Sequence, residues 1–164
     1  MRFGVLILIL VSSCFATNSS QSRREAEYYV ATYAQHYGIP TDFVRAIVEH
    51  ESGWRRCAVS AKGAVGLMQL MPGTARQLNV SHRCDVNENV SGGVRLLAWL
   101  SRRFHGDLRL VAAAYYAGVR IVKLRGLSYA NPDVVRYVVS VRAGVGDQRN
   151  FPKSNLKHIQ GRTR

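Results

Sequence analysis

Residues 47–69 read IVEHESGWRRCAVSAKGAVGLMQ, and the fold turns on how this stretch is read. It opens as the end of an amphipathic helix, turns through Gly53, and continues through small residues to Gly63, Gly66 and Gln69. At about 100° per residue, Phe43, Val44, Ala46, Ile47 and Val48 fall on one arc. Glu51 lies inside that arc, one turn beyond Ile47, while Arg45 and Glu49 fall on the opposite side. Glu49 therefore meets water, and Glu51 points where the apolar residues point. A carboxyl in apolar surroundings has its pKa raised, because desolvation disfavours the charged form. A carboxyl still protonated near neutral pH is equipped to act as a general acid. The plainer alternative is a helix-end carboxylate satisfied by Ser52 or by water.

Outward from this stretch, helices dominate. Ser22 and Glu25 make a capping box that opens a helix to about His36. Gly38 ends it and Pro40 forbids its continuation. Thr41 or Asp42 starts the Glu51 helix. Residues 54–67 form a loop with room for a short hairpin, since Gly63 and Gly66 break any helix. Gly73 or Thr74 starts a short helix ending near Asn79. Asn87 or Asn89 opens a longer one, with Val90, Val94, Leu97 and Leu100 on one face and Arg95, Arg102 and Arg103 off it. Gly106 ends that helix. Asp107 caps the next, which Gly118 closes, and Asn131-Pro132 opens a last helix to about Ala143.

The chain has 164 residues, enough for one domain with a real core. We expect three segments: a signal peptide over 1–16, a folded domain over 22–145, and a basic, disordered tail over 146–164. The signal reading rests on Arg2, the short apolar run Phe3–Val11 and the small residues after it. That run is too short to span a bilayer. Val11-Ser12-Ser13-Cys14 resembles a lipoprotein box, which would lipidate Cys14; cleavage after Ala16 would instead release a soluble, exported protein. Export bears on Cys57 and Cys84. An even pair in an oxidising compartment suggests a disulfide, the alternative being two buried free thiols. Neither cysteine has a His or Cys at metal-ligand spacing, and His36, His50, His82, His105 and His158 are dispersed. No metal or cofactor is called for.

The formal charge is +13 with only ten acidic residues, which favours an anionic partner. The basic residues are scattered, with pairs at Arg23-Arg24, Arg55-Arg56 and Arg102-Arg103, and form no stripe interleaved with aromatics. Nucleic acid is therefore a poor fit.

Four ordered blocks resemble the soluble lytic transglycosylase (SLT) family of lysozyme-like enzymes, which cut peptidoglycan glycan strands. They are Glu51-Ser52-Gly53-Trp54 with Ala58-Val59-Ser60 and Gly63 to Pro72; Asp85 to Asn89 with Gly92-Gly93; Ala113 to Gly118; and Tyr137-Val138. The resemblance covers about residues 25–145. It implies a mainly α, lysozyme-like fold of the α+β type, one helical domain with a short hairpin or loop region after the catalytic helix. By position it makes Glu51 the single acid/base that first protonates the glycosidic oxygen between N-acetylmuramic acid and N-acetylglucosamine. Glu51 would then accept the proton of the muramic 6-hydroxyl, closing a 1,6-anhydro ring. Such a scheme needs no second carboxylate, and the chain offers none: Glu49 faces away, Asp85, Glu88 and Asp107 belong to helix starts, and Asp133 to a first turn.

The resemblance also marks substrate-binding positions. Ser52 would orient Glu51 or contact substrate, its alternative being a helix-end hydrogen bond. Met68 and Gln69 would line the sugar cleft, and Gly63 and Gly66 would let backbone approach the sugars. Tyr137 would reach towards the catalytic Glu. In the block at Tyr115 and Tyr116, Tyr116 stands where the family has Asn, so it would stack on a sugar or donate its hydroxyl instead. Val119-Arg120 replaces the usual Pro-Gly, and Asp133-Val134 replaces Glu-Thr. These departures, with the compact chain, are closest to the small transglycosylases associated with type IV and type III secretion and conjugation systems. The expectation is a monomeric, periplasmic enzyme acting on glycan strands beside such a machine, with a same-fold hydrolase or a weak wall-binding module as alternatives.

Overall fold

The computed structural model describes residues 4–126 and 131–146, with side chains from residue 20 onward. Among the described residues seven helices follow in order: α1 (Gly4–Tyr37), α2 (Thr41–Ser52), α3 (Pro72–Gln77), α4 (Val86–Arg103), α5 (Leu108–Ala117), α6 (Val119–Arg125) and α7 (Pro132–Ala143). Among the described residues the extended chain amounts to two isolated antiparallel bridges, Val59 with Val65 and Val65 with Leu70. They are the short hairpin region expected after the Glu51 helix.

Helix α2 forms as its periodicity dictates. Phe43, Val44, Ala46, Ile47 and Val48 are all buried, while Arg45 and Glu49 are exposed. Gly53 ends the helix in the left-handed conformation at φ 55°, and its N–H closes on the Glu49 carbonyl at 2.9 Å. Helix α4 buries Val90, Val94, Leu97 and Leu100, the face the spacing predicts. The core joins these two helices to α1, α5 and α7, through Val30, Val111, Tyr137, Val138 and Val141 among others. A smaller cluster of Leu70, Ala75 and Val80 packs under α3.

Helix boundaries depart from expectation in three places. α1 does not begin at Ser22; it is already helical at Gly4. The intervening residues include neither Gly nor Pro, so nothing stops the helix from running through the capping-box residues. α4 begins at Val86, because the Asp85 carboxylate accepts the Glu88 N–H at 2.9 Å and takes the cap from Asn87 and Asn89. α6 was not foreseen. Gly118, at φ 91°, closes α5 and opens α6 in one residue. The tail beyond residue 146 and His158 lie outside the described residues, as do the side chains of the expected signal segment, Cys14 included.

Candidate active site

α7 packs against both α2 and α5, and this brings residues far apart in sequence to the end of α2. Glu51 sits there, partly buried, in the last turn. Its Oε1 accepts a hydrogen bond from the Tyr137 hydroxyl at 2.7 Å, across 86 residues of chain. Tyr137 itself is only 2% exposed. Its ring lies between His50, at 4.5 Å edge-on, and Tyr116, at 4.8 Å with the rings tilted by 32°. His50 of α2 and Tyr116 of α5 thus flank the α7 phenol that addresses the carboxylate.

Burial raises the Glu51 pKa above the ordinary carboxyl value, and the Tyr137 hydrogen bond pulls it back in part. The second effect is smaller because a single neutral donor does not replace a water shell. Burial also pushes Tyr137 and Tyr115 well above the usual phenol range, helped by the nearby Glu51 charge. Both phenols therefore remain donors. Burial lowers the His50 imidazole, so the ring against Tyr137 is neutral near pH 7.

The loop after α2 forms the neighbouring wall. The Tyr115 hydroxyl donates to the Met68 carbonyl at 2.6 Å, tying α5 to this loop. Gln69 holds a left-handed backbone at φ 46°, a conformation that costs a non-glycine residue on the order of 1 kcal/mol. Its Nε2 secures that turn by donating to the Ala58 and Gly66 carbonyls, at 2.9 Å each. Arg83 reaches in from the other side and donates to the carbonyls of Gly63 and Leu70. A disulfide between Cys57 and Cys84 ties the start of the loop to the segment before α4.

Asn89, expected from its position as a possible opener of α4, has a different role. It is wholly buried in α4 and serves as the pin of the loop. Its Oδ1 accepts the Met68 N–H at 2.8 Å, and its Nδ2 donates to the carbonyls of Val65 at 3.0 Å and Arg83 at 2.8 Å. An Asn near a helix start reads as a cap; only the buried face of α4, on which Asn89 falls with Val86 and Val90, could have marked it otherwise.

The residues expected at the site do not all meet there. Glu51, Tyr115, Tyr116 and Tyr137 do. Ser52 turns away: it is buried and its hydroxyl donates to the Val48 carbonyl at 3.1 Å, the helix-end bond that was its alternative. Met68 presents backbone, not side chain, because the thioether is fully buried where Gly93 leaves room for it. Gly66, at φ 91°, makes room for the Asn89 side chain and the Arg83 carbonyl, which a Cβ would overlap. Gln69 is spent on loop carbonyls. Tyr116 is 46% exposed, so it covers Tyr137 with one part of its surface and offers the rest to solvent.

The other described acids are committed elsewhere. Asp85 and Asp107 cap α4 and α5. Asp42 and Glu27 pair with Arg45, Glu25 with Arg56, and Asp133 with Arg136. Glu88 accepts the N–H groups of Ser81 and His82 and faces the His82 ring, contacts that pull its pKa down to about 2. Glu49 is exposed on the far side of α2. Among the described residues no group of three His, Cys, Asp or Glu side chains is placed to hold a metal ion.

The chain is similar in sequence and fold to known proteins. The model of the transglycosylase SLT domain matches residues 28–133. The transglycosylase of Enterobacteria phage PRD1 is 35% identical over 125 residues, covering 76% of this chain and 47% of the phage protein. The soluble lytic murein transglycosylase of Escherichia coli K12 is 31% identical over 131 residues, covering 73% of this chain and 20% of that enzyme. The structure of an inactive mutant of the lytic transglycosylase Slt from Pseudomonas aeruginosa superposes with a TM-score of 0.63 at 25% identity, over 71% of this chain and 22% of that one. The 70 kDa soluble lytic transglycosylase of Escherichia coli gives a TM-score of 0.62 over the same shares. The chain thus spans less than half the length of these relatives.

Proposed function

The chain belongs to the transglycosylase SLT domain family, and from that premise we propose that it cleaves peptidoglycan glycan strands as a lytic transglycosylase, with Glu51 as its single acid/base. The observation that carries the proposal is the Glu51–Tyr137 pair: a carboxyl with its pKa raised by burial, aimed by a buried phenol at 2.7 Å. Protonated Glu51 donates its proton to the glycosidic oxygen between N-acetylmuramic acid and N-acetylglucosamine, and the bond to the muramic anomeric carbon breaks. The substrate's own acetamido group stabilises the cationic carbon. Glu51, now a carboxylate and still bonded to Tyr137, takes the proton of the muramic 6-hydroxyl as that oxygen closes on the anomeric carbon. The product is a 1,6-anhydro ring, and water is not consumed. The placement of the other described acids in caps and ion pairs or, for Glu49, on the far side of α2 supports this one-carboxylate route over the two-carboxylate scheme of most glycosidases.

Around Glu51, Tyr115 and the Met68 carbonyl form one wall of the sugar site, and Tyr116 offers the exposed part of its ring as a stacking surface in place of the family's Asn. Gln69, Gly66 and Met68 act as scaffold, and Ser52 anchors the helix end. The folded unit is assigned to residues 22–145. The disulfide and the peptidoglycan substrate support an exported, periplasmic enzyme. No helix among the described residues is long and apolar enough to cross a membrane. The Tyr116 and Val119-Arg120 departures support placing it beside a secretion or conjugation apparatus, where it would open the wall locally.

Mass spectrometry of fragments released from purified peptidoglycan tests the reading, with Glu51→Gln as the control. Fragments ending in anhydro-muramic acid, absent with the variant, are expected. Reducing-end fragments would mean a hydrolase of the same fold. Binding without release would mean a wall-binding module.

A further inference from the structure

A second cleft lies between α1 and α4. Tyr33, Asn79, Asn87, Glu88, Ser91 and Arg95 line it over a floor at Val80, and its volume is about 190 Å³. That is below the roughly 300–1,000 Å³ of pockets for drug-sized ligands, and suits a single ring. It is not part of the Glu51 site. Asn89 and Gly93 turn towards Met68, while Ser91 and Arg95 sit on the other side of the same helix.

The walls are fixed in advance. The Tyr33 hydroxyl donates to Asn87 Oδ1 at 2.5 Å. Its ring is the middle member of a stack along α1, with Tyr29 at 6.2 Å and Tyr37 at 6.5 Å. The Arg95 guanidinium is held by the Leu78 carbonyl at 2.6 Å and more loosely by that of Ser91. Glu88 is tied back to Ser81 and His82. The cleft thus combines an aromatic ring, two primary amides, a hydroxyl and one oriented guanidinium. Amides and hydroxyls match the hydroxyl and acetamido groups of a sugar, and one guanidinium matches one carboxylate. A phosphate would want more cation than Arg95 supplies with Glu88 alongside. Trp99, one turn past Arg95 and 46% exposed, extends the same surface.

We propose that this cleft is a second glycan-binding site, which takes one acetamido sugar of the strand, with Arg95 on a carboxylate of its stem peptide, on the face of α4 turned away from Glu51. The inference rests on peptidoglycan being the substrate, as proposed above. It would keep the protein on the polymer between cuts.

The test is co-sedimentation with insoluble purified peptidoglycan in a Glu51→Gln background. Ser91→Phe fills the cleft from a partly exposed position, and Arg95→Gln removes the charge. Circular dichroism melts check that each variant is folded. Binding about tenfold weaker is expected for each, the scale of losing one well-placed contact group. With Glu51 restored, the same variants should digest insoluble wall more slowly and cut short soluble fragments at the parent rate. Parent-like sedimentation by both folded variants would overturn the site and leave the proposed function standing. A parent that neither sediments with wall nor cuts it would overturn both.

Discussion

Glu51 and Tyr137 act on each other in opposite senses, and each sense can be measured. Removing the carboxyl in Glu51→Gln should lower fragment release by about 10²–10⁴-fold, the usual worth of a positioned acid/base. The same change should also stabilise the fold. The folded pKa of Glu51 lies above its unfolded value, so the native state binds the proton more tightly. The stability this confers is present at low pH and is lost as pH rises through the folded pKa. Near neutral pH the neutral amide avoids that loss, and a thermal melt should show a gain in stability. Tyr137→Phe tests the other sense. The phenol hydrogen bond favours the carboxylate, so its removal should raise the Glu51 pKa further. The alkaline limb of the pH–rate profile should move up, and the rate at its optimum should fall by about 10–100-fold for a lost bond to a charged group. An unmoved alkaline limb would dissociate Tyr137 from the titration of Glu51.

At the level of elements, the loop from Ala58 to Leu70 owes its shape to α4. Asn89→Ala would take this partner from the Met68 N–H and the Arg83 carbonyl and leave the Val65 carbonyl only the Leu70 N–H, at a cost of about 3 kcal/mol. Chemical denaturation should report that loss, and hydrogen exchange should report faster opening at Met68. The sequence made the helices legible where apolar spacing and caps agree, as in α5 and α7, and by spacing alone in α2 and α4, the latter capped by Asp85 and not by Asn87 or Asn89. The position of Glu51 on its buried arc was legible for the same reason. It was silent where a polar residue has two uses. Asn89 could cap or pin, and Ser52 could serve the site or its own helix. Met68 and Gly66 belong to a motif whose parts read as contacts with sugar, yet Met68 fills the space left by Gly93 and Gly66 clears a path for Asn89. Such choices depend on a neighbouring element that spacing within one helix does not describe.

For the whole molecule, the Cys57–Cys84 bond is the covalent closure between the two halves of the site wall. It joins positions 27 residues apart, for which the chain-entropy relation gives about 3.5 kcal/mol. Denaturation with and without a reductant should show a difference of that size, and the Cys57→Ser/Cys84→Ser double variant should match the reduced protein. Without the bond, the loop keeps Asn89, Arg83 and the Gln69 turn but loses its tether at the Cys57 end. Thiols stay reduced in the cytosol and pair outside it. In the exported enzyme proposed above, the wall beside Glu51 would therefore gain its covalent tether only after the chain has left the cytosol.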